Sequence, residues 1–271
     1  PPESVAQKLV CVNLSDLSAM GSAPVAYTLN LSFNAKININ WLKRFTKRLL
    51  KLQKKHNFYL LGGDISKSSE LTFSANFFGK AKLKNILSQN KCSVGDDIWI
   101  TGNLGNSYLG YRIFTNSKIK VSNKDAEFYK NSYLYPSPCM FGSIAFNFIS
   151  AATDISDGFY GDLNKVGASL IKKDFLISNN LRKIIITNKS EIFIDDILSW
   201  GDDYQLVFTS NKKFKNKINN LAKKNFKNKI NNLGKINNIK LTNIGTIIKA
   251  KGIYDDSMSI IKNLSSYDHF S

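Results

Sequence analysis

Apolar residues recur at helical or strand spacing along most of the chain, and this pattern predicts alternating helices and strands. Helices are predicted at 3–20, capped by Ser4, and at 39–56, with another opening from the glycine turn at 102–114. Strands are predicted at 23–33, 58–66, 71–79, 97–102 and 241–248. Because these elements alternate without strict βαβ regularity, the expected fold class is α+β, built from mixed layers.

One carboxylate interrupts the apolar face of the first predicted helix. Val5, Leu9, Val12 and Ala19 share that face with Asp16. An ionised Asp on a buried face costs several kcal/mol unless a cation or strong donors meet it. The alternative is an Asp at the exposed end of the face, hydrogen-bonded to the backbone. The helical pattern alone leaves both interpretations open.

Acidic turns stand at the ends of several predicted elements. They are Ser15-Asp16, Gly62-Gly63-Asp64, Asp154-Ile155-Ser156-Asp157-Gly158 and Gly201-Asp202-Asp203. Grouped carboxylates repel one another unless cations join them, and oxygen-only ligands favour Mg²⁺. Each turn taken singly is also typical of a helix cap or an Asx-turn. Together the turns make a metal–phosphate site a hypothesis of equal standing.

A phosphate site would also need hydrogen-bond donors. The segment "TGNLGNS", which opens the third predicted helix, offers backbone N–H groups at a helix N-terminus. Glycine turns before helices are common, so this signal is weak alone. The segment "GGDISKSS" lacks the glycine that precedes the lysine of a P-loop. With only His56 and His269, a nucleophilic triad has little support.

Composition excludes several classes of protein. Of the 271 residues, 43% are hydrophobic and 21% are charged, as in ordinary globular domains. No apolar run approaches the roughly 20 residues that cross a bilayer, so no membrane partner is expected. Cys11, Cys92 and Cys139 are odd in number and far apart, which fits a reducing, cytoplasmic location and argues against structural zinc.

The formal net charge of +18 raises the question of nucleic-acid binding. Much of the excess lies in residues 211–240, where Phe and Leu recur at helical spacing among lysines. That pattern favours a solvated, lysine-rich helix. Because no arginine-rich arm, zinc finger or RNA-binding signature accompanies it, no nucleic-acid partner is expected.

A series of motifs resembles the thiamine-monophosphate kinases. In order along the chain these are "CVNLSDLSAMGSAP", "LLGGDIS", "VGDDIWITGNLG", "YLYPSP", "ATDISDGFYGDL", "WGDDYQLVF" and "SYDHF". That family belongs to the ATP-binding superfamily of aminoimidazole ribonucleotide synthetase and selenophosphate synthetase. The resemblance implies two mixed α/β-sandwich domains, divided at "YLYPSP". Residues 1–136 would be an incomplete ATP- and Mg²⁺-binding domain, and residues 137–271 a domain that completes the nucleotide and thiamine site.

The resemblance also implies a role for each motif. Mg²⁺ would be bound by Asp16, Asp64 and Asp157. The residues expected near the phosphates of ATP are Asp64, Thr101, Gly102, Gly105, Asp154 and Ser156. Thiamine monophosphate would meet Asp202, Asp203 and Tyr267, although ordinary C-terminal packing explains Tyr267 nearly as well.

No side-chain base is expected as a catalytic residue. The acceptor phosphate is already largely anionic near neutral pH, because its second pKa is about 6. Metal ions and positioned donors then carry the transfer.

The chain departs from the family pattern in several places. The family has an earlier segment with an Asp-rich metal motif, which does not precede Pro1 in this sequence. We therefore expect a truncated N-terminal domain, reduced activity of residues 1–271 alone, and a homodimer when the segment is present. Neutral or altered residues replace family glutamates and arginines, and we expect weaker phosphate affinity. These positions are Asp202, Gln205, Gln89, Tyr135 and Cys139.

Two rival functions remain open. One is another ATP-using enzyme of the superfamily that acts on a different acceptor. The other is a basic binding module that keeps the fold without catalysis, which would bind nucleic acid with strong salt dependence.

Overall fold

The computed structural model describes residues 1–34, 37–167, 169–172, 176–223 and 239–261. Its helices are α1 (Pro2–Ala19), α2 (Ile39–His56), α3 (Asn106–Thr115), α4 (Asn123–Leu134), α5 (Gly142–Ala145), α6 (Phe159–Val166), α7 (Asn179–Thr187), α8 (Ile194–Ser199) and α9 (Lys215–Lys223). Its strands are β1 (Ala23–Phe33), β2 (Tyr59–Lys67), β3 (Thr72–Lys80), β4 (Asp97–Thr101), β5 (Ala151–Asp154), β6 (Ser169–Ile171), β7 (Leu206–Ser210), β8 (Leu241–Ile247) and β9 (Ile253–Tyr254).

The smaller of the two sheets has three strands in the order β2-β1-β3. β1 runs parallel to β2 and antiparallel to β3. Helices α1 and α2 pack against it through a core that includes Leu14, Tyr27 and Phe45. The apolar face of α2 is continuous at helical spacing, which is why this helix was predictable from its pattern. The outer strand β2 is exposed along its whole length.

The larger sheet has six strands in the order β5-β7-β4-β8-β6-β9. Its central strand β4 is buried at every position. Ile98 and Ile100 pack into the core formed with α3, α6, α7 and α8, while Trp99 packs into a second core on the opposite face. Because both faces are covered, the middle of β4 is a continuous apolar run, Ile98-Trp99-Ile100, and does not alternate with polar residues.

The chain changes sheet between Lys80 and Asp97. Strand β4 pairs with β7 and β8, so residues from 97 onward build the larger sheet. The domain boundary between 136 and 137 stays a prediction. The segment at 133–138 contacts α1, since Gln7 Nε2 donates to the Pro136 carbonyl at 2.6 Å, and Met140 just after it joins the core of the smaller sheet.

Most predicted helices and strands are confirmed to within a few residues. Helix α1 is capped by Pro1, and Ser4 Oγ donates to the Pro1 carbonyl from inside the helix. The helix after the glycine turn begins at Asn106. The predicted basic helix is confirmed over α9, and residues 224–238 of that tract lie outside the described residues. In the described residues, no helix has the length and apolarity to span a bilayer.

Candidate active site

Two turns of the acidic motifs meet at one edge of the larger sheet. The 154–158 turn follows β5, and the 199–205 turn precedes β7, the strand beside β5. Their backbones are joined directly: Asp202 N donates to the Ser156 carbonyl at 3.0 Å, and Tyr204 N donates to the Ile155 carbonyl at 2.9 Å. These bonds make the two turns one rigid unit.

The close contact of the two turns requires glycine. A Cβ atom added at Gly201 would lie 1.6 Å from the Ser156 carbonyl oxygen. Gly158 has φ +129°, and a Cβ there would lie 2.3 Å from the Ser199 carbonyl oxygen. No L side chain fits either place without moving the opposite turn, so the glycines of both sequence motifs have a direct steric cause.

Three carboxylates converge beside these turns, from Asp16, Asp154 and Asp157. Burial raises the pKa of Asp154 to about 7, a hydrogen bond from Ser15 opposes the shift, and the charge of Asp16 adds to it. Partial desolvation raises the pKa of Asp16, as does the charge of Asp157. Asp16 is exposed, as one of the two sequence interpretations held, but it faces other carboxylates. Lys165, whose Nζ lies 3.1 Å from Asp157 Oδ2 and whose charge opposes the Asp16 pKa shift, offsets part of this negative charge.

Asp154 is the most buried member of this set, at 6% exposure. Its Oδ2 atom has no hydrogen-bond partner within the described part of the chain. A buried, unpaired carboxylate oxygen is costly, so it marks a place where a cation fits. Across the described ranges, however, no group of three or more His, Cys, Asp or Glu could hold a metal ion by itself.

Asp64 does not join the other aspartates. It lies on β2 of the smaller sheet, opposite Asn30, whose Oδ1 accepts the Asp64 N–H at 3.1 Å. The charge of Asp64 contributes to neither the Asp16 nor the Asp154 pKa shift. Within the described residues, the predicted trio of Asp16, Asp64 and Asp157 does not form a group that could hold a metal ion by itself.

The predicted phosphate cradle is filled from within the chain. Gly105 N donates to both carboxylate oxygens of Asp203, at 3.1 and 2.9 Å. Burial raises the pKa of Asp203 to about 7, and the backbone hydrogen bonds from Gly105 and Ser107 oppose that shift. The start of α3 is thus capped by a carboxylate and does not present an open anion site.

Thr101, Gly102 and Ser156 also make contacts within the protein. Thr101 is fully buried, donates to Gln205 Oε1 at 2.9 Å, and accepts the Leu206 N–H at 2.8 Å. Gly102 has φ +63° and lies against the Gln205 side chain. The Ser156 backbone is used in the joined turns. These residues shape the sheet edge.

An ion pair connects α1 with the 199–205 turn. Lys8 Nζ lies 2.6 Å from Asp202 Oδ2 and 4.0 Å from the centre of the Tyr133 ring. The Tyr204 hydroxyl donates to the other Asp202 oxygen at 2.7 Å. Sequence reasoning missed Lys8, because no local pattern connects it with a residue 194 positions away.

A polar pocket of about 190 Å³ opens between these segments. Its lining includes Asn106, Ser107, Ser132, Tyr135, Asp202 and Asp203. Ser107 Oγ and Asn106 Oδ1 are buried and have no hydrogen-bond partner among the described residues. Asp202 is paired with Lys8, and both Asp203 oxygens accept from Gly105 N, so the pocket favours a polar ligand with hydrogen-bonding groups.

The remaining sequence-predicted positions are placed as follows. Gln205 and Tyr135 line the pocket. Gln89 Nε2 donates to Thr153 Oγ1 at 3.2 Å, and the Cys139 carbonyl accepts from Ser18 Oγ at 2.6 Å. Tyr267 lies outside the described residues.

Comparison with known proteins gives one consistent result. Residues 1–81 match the family model of the AIR synthase related protein, N-terminal domain. A thiamine-monophosphate kinase of Buchnera aphidicola subsp. Schizaphis graminum is 34% identical over 99% of this chain and 81% of its own length. The crystal structure of a thiamine-monophosphate kinase from Stenotrophomonas maltophilia K279a matches with a TM-score of 0.82 at 29% identity, covering 94% of this chain and 79% of that one. The structure of AaThiL complexed with AMPPCP and TMP shares the fold, with a TM-score of 0.82 at 23% identity, covering 99% of this chain and 81% of that one.

Proposed function

Because the chain belongs to the thiamine-monophosphate kinase family, we propose that it transfers the γ-phosphoryl group of ATP to the phosphate of thiamine monophosphate. The bond from the γ-phosphorus to the β–γ bridging oxygen breaks, and a bond to an acceptor phosphate oxygen forms. The products are ADP and thiamine diphosphate. The observation that carries this proposal is the convergence of Asp16, Asp154 and Asp157 at the joined turns.

Mg²⁺ is the proposed metal, with one or two of Asp16, Asp154 and Asp157 as its protein ligands, since the described residues hold no group of three that could bind a metal by itself. The donors are oxygen only, and the unpaired Asp154 Oδ2 offers a ready ligand. Mg²⁺ commonly takes one or two carboxylates with substrate phosphates and water, so it needs no closed cage of protein ligands. When bound, it neutralises charge on the phosphates.

The chain's own residues position the reactants. The acceptor phosphate is already anionic, so no residue needs to remove a proton from it. The joined 154–158 and 199–205 turns fix the distance between the metal side and the pocket side of the site. This rigidity favours alignment of the two phosphates, which supplies much of the rate in such transfers.

The pocket beside Asp202 and Asp203 is the proposed place of the thiamine rings. Thiamine carries a fixed positive charge on its thiazolium ring, and the Asp202 carboxylate in the lining, which it would share with Lys8, suits that charge. The unpartnered Ser107 Oγ and Asn106 Oδ1 suit the polar groups of the pyrimidine ring. Tyr267 remains a proposed contact from the sequence.

A homodimer is the proposed assembly, formed through the outer strand of the smaller sheet. Tyr59, Leu60, Leu61 and Ile65 on β2 are 62, 47, 66 and 68% exposed. A long apolar edge strand is unusual on a monomer and is commonly covered by pairing. Asp64 lies on this strand, so its proposed part in metal binding would involve the second copy. Light scattering on the purified chain tests the assembly.

The proposed location is the cytoplasm, since all three cysteines are free thiols.

The function is tested in two stages on the full chain. Calorimetry with Mg-ATP comes first, and the expected result is binding that EDTA abolishes. ADP formation with thiamine monophosphate is then measured against other phosphate acceptors. ADP formation only with a different acceptor would favour another enzyme of the superfamily, and absence of Mg-ATP binding would contradict the proposal altogether.

A further inference from the structure

The carboxylate of Asp162, next to the proposed metal site, is buried and hydrogen-bonds with other groups of the protein. Asp162, in the first turns of α6, has no exposed surface. Its Oδ2 atom accepts three consecutive backbone N–H groups, from Ser156 at 3.0 Å, Asp157 at 3.1 Å and Gly158 at 3.2 Å. Three donors on one oxygen define the conformation of the backbone that carries Asp157.

The second oxygen of Asp162 is paired with a cation. Lys165 Nζ lies 2.7 Å from Asp162 Oδ1 and 3.1 Å from Asp157 Oδ2. Burial raises the pKa of Asp162, and the hydrogen bond and charge of Lys165 oppose that shift. A buried carboxylate that accepts from three N–H groups and an ammonium group has all its hydrogen-bonding capacity used. The conformation of the turn that supplies these donors is therefore well defined.

We propose that Asp162 is a positioning residue that holds the 156–158 backbone so that the Asp157 carboxylate faces the metal–nucleotide complex. The inference rests on the proposed function, because it assigns Asp157 to that complex. Asp162 acts only through the turn, since its own oxygens are taken by N–H groups and by Lys165.

A purely structural role makes a different prediction. If Asp162 only caps α6, its loss lowers the stability of the protein, and the remaining folded molecules bind Mg-ATP normally. If it positions Asp157, its loss loosens the turn and weakens Mg-ATP binding in molecules that are fully folded. Nucleotide affinity of the folded fraction separates the two roles.

The test compares Asp162→Asn with Asp96→Asn in the full chain. Asp96 is a matched control, since it is a buried carboxylate, 2% exposed, that accepts the backbone N–H of Ser93 at 3.1 Å. It precedes β4 at the end of the sheet opposite the acidic turns. Mg-ATP affinity is measured by calorimetry at a temperature where all variants are folded. Hydrogen exchange of the peptide containing residues 155–159 is measured without ligand.

For Asp162→Asn we expect faster exchange in that peptide and at least a tenfold loss of Mg-ATP affinity, with Asp96→Asn unchanged in both. Faster exchange with affinity within twofold of the parent would overturn the positioning role. Unchanged exchange would overturn the contact itself. If the parent does not bind Mg-ATP, the proposed function fails and this inference falls with it, whereas failure in the variant comparison leaves that function intact.

Discussion

Replacing Asp154 by Asn is expected to stabilise the ligand-free protein while removing its response to Mg-ATP. The Asp154 pKa is raised from 3.8 to about 7, mainly by burial. Below pH 3.8 the group is protonated in both folded and unfolded chains and contributes nothing. Between pH 3.8 and about 7 only the folded chain holds the proton, so stability falls as the pH rises.

Above about pH 7 the full cost of the buried charge is present. Raising the Asp154 pKa from 3.8 to about 7 corresponds to about 4 kcal/mol, and relaxation of the site would reduce this to about 2–4 kcal/mol. Asp154→Asn is nearly isosteric and carries no charge. At pH 8 we therefore expect its free energy of unfolding to exceed that of the parent by about 2–4 kcal/mol, and the excess should shrink to near zero at pH 4.

The ligand response should change in the opposite direction. Mg-ATP at about 100 times its dissociation constant should stabilise the parent by about 2.7 kcal/mol. The variant lacks the charged oxygen that the metal would take, so most of this stabilisation should vanish.

The assay is urea unfolding of parent and variant at pH 4, 6 and 8, with and without Mg-ATP. Taking variant minus parent at each pH cancels the other titrating groups. Equal stability of the two proteins at pH 8 would refute the burial argument, and an intact Mg-ATP effect in the variant would refute the metal assignment.

Three further results are expected. Gly201→Ala should cost about 3 kcal/mol or more in unfolding free energy, because its Cβ would lie 1.6 Å from the Ser156 carbonyl; a loss under about 1 kcal/mol in thermal unfolding would contradict the contact. Lys8→Met should cost about 1 kcal/mol at low salt and less at high salt, because its ion pair with Asp202 is partly exposed; a salt-independent loss in urea titrations would indicate packing instead. Burial lowers the pKa of His56 from 6.5 to about 4, so parent stability should fall by up to about 3 kcal/mol as the pH drops through that window; a similar fall in His56→Leu would assign it to other groups.

Local features of the fold were predictable because their causes are local. The face of α2 repeats at helical spacing, and the buried run of β4 is short and rich in β-branched and aromatic residues. The apolar run "FYLLGGDIS" equally predicted a strand, yet β2 is exposed at every position. Periodicity shows which side chains can be buried, whereas burial depends on what packs against them.

The site was predictable only in part. The turns of Asp16 and Asp154 could be selected because glycine and serine flank carboxylates there, and the structure brings these two together. The hydrogen bond by which Asp203 caps Gly105 could not be predicted from the sequence, because it joins residues 98 positions apart. Asp64 lies on β2 of the smaller sheet, whereas the Asp154 turn follows β5 of the larger one, and no local pattern encodes which strand joins which sheet.

The ion pair between Lys8 and Asp202 has a consequence for biosynthesis. The two residues are separated by 194 positions, and ribosomes add about 5–20 residues per second. Helix α1 therefore leaves the ribosome about 10–40 s before the segment that completes its charge pairing. During that interval the Lys8 ammonium group has no partner from the 199–205 turn, so this contact between α1 and the larger sheet forms only after Asp202 has been added to the chain.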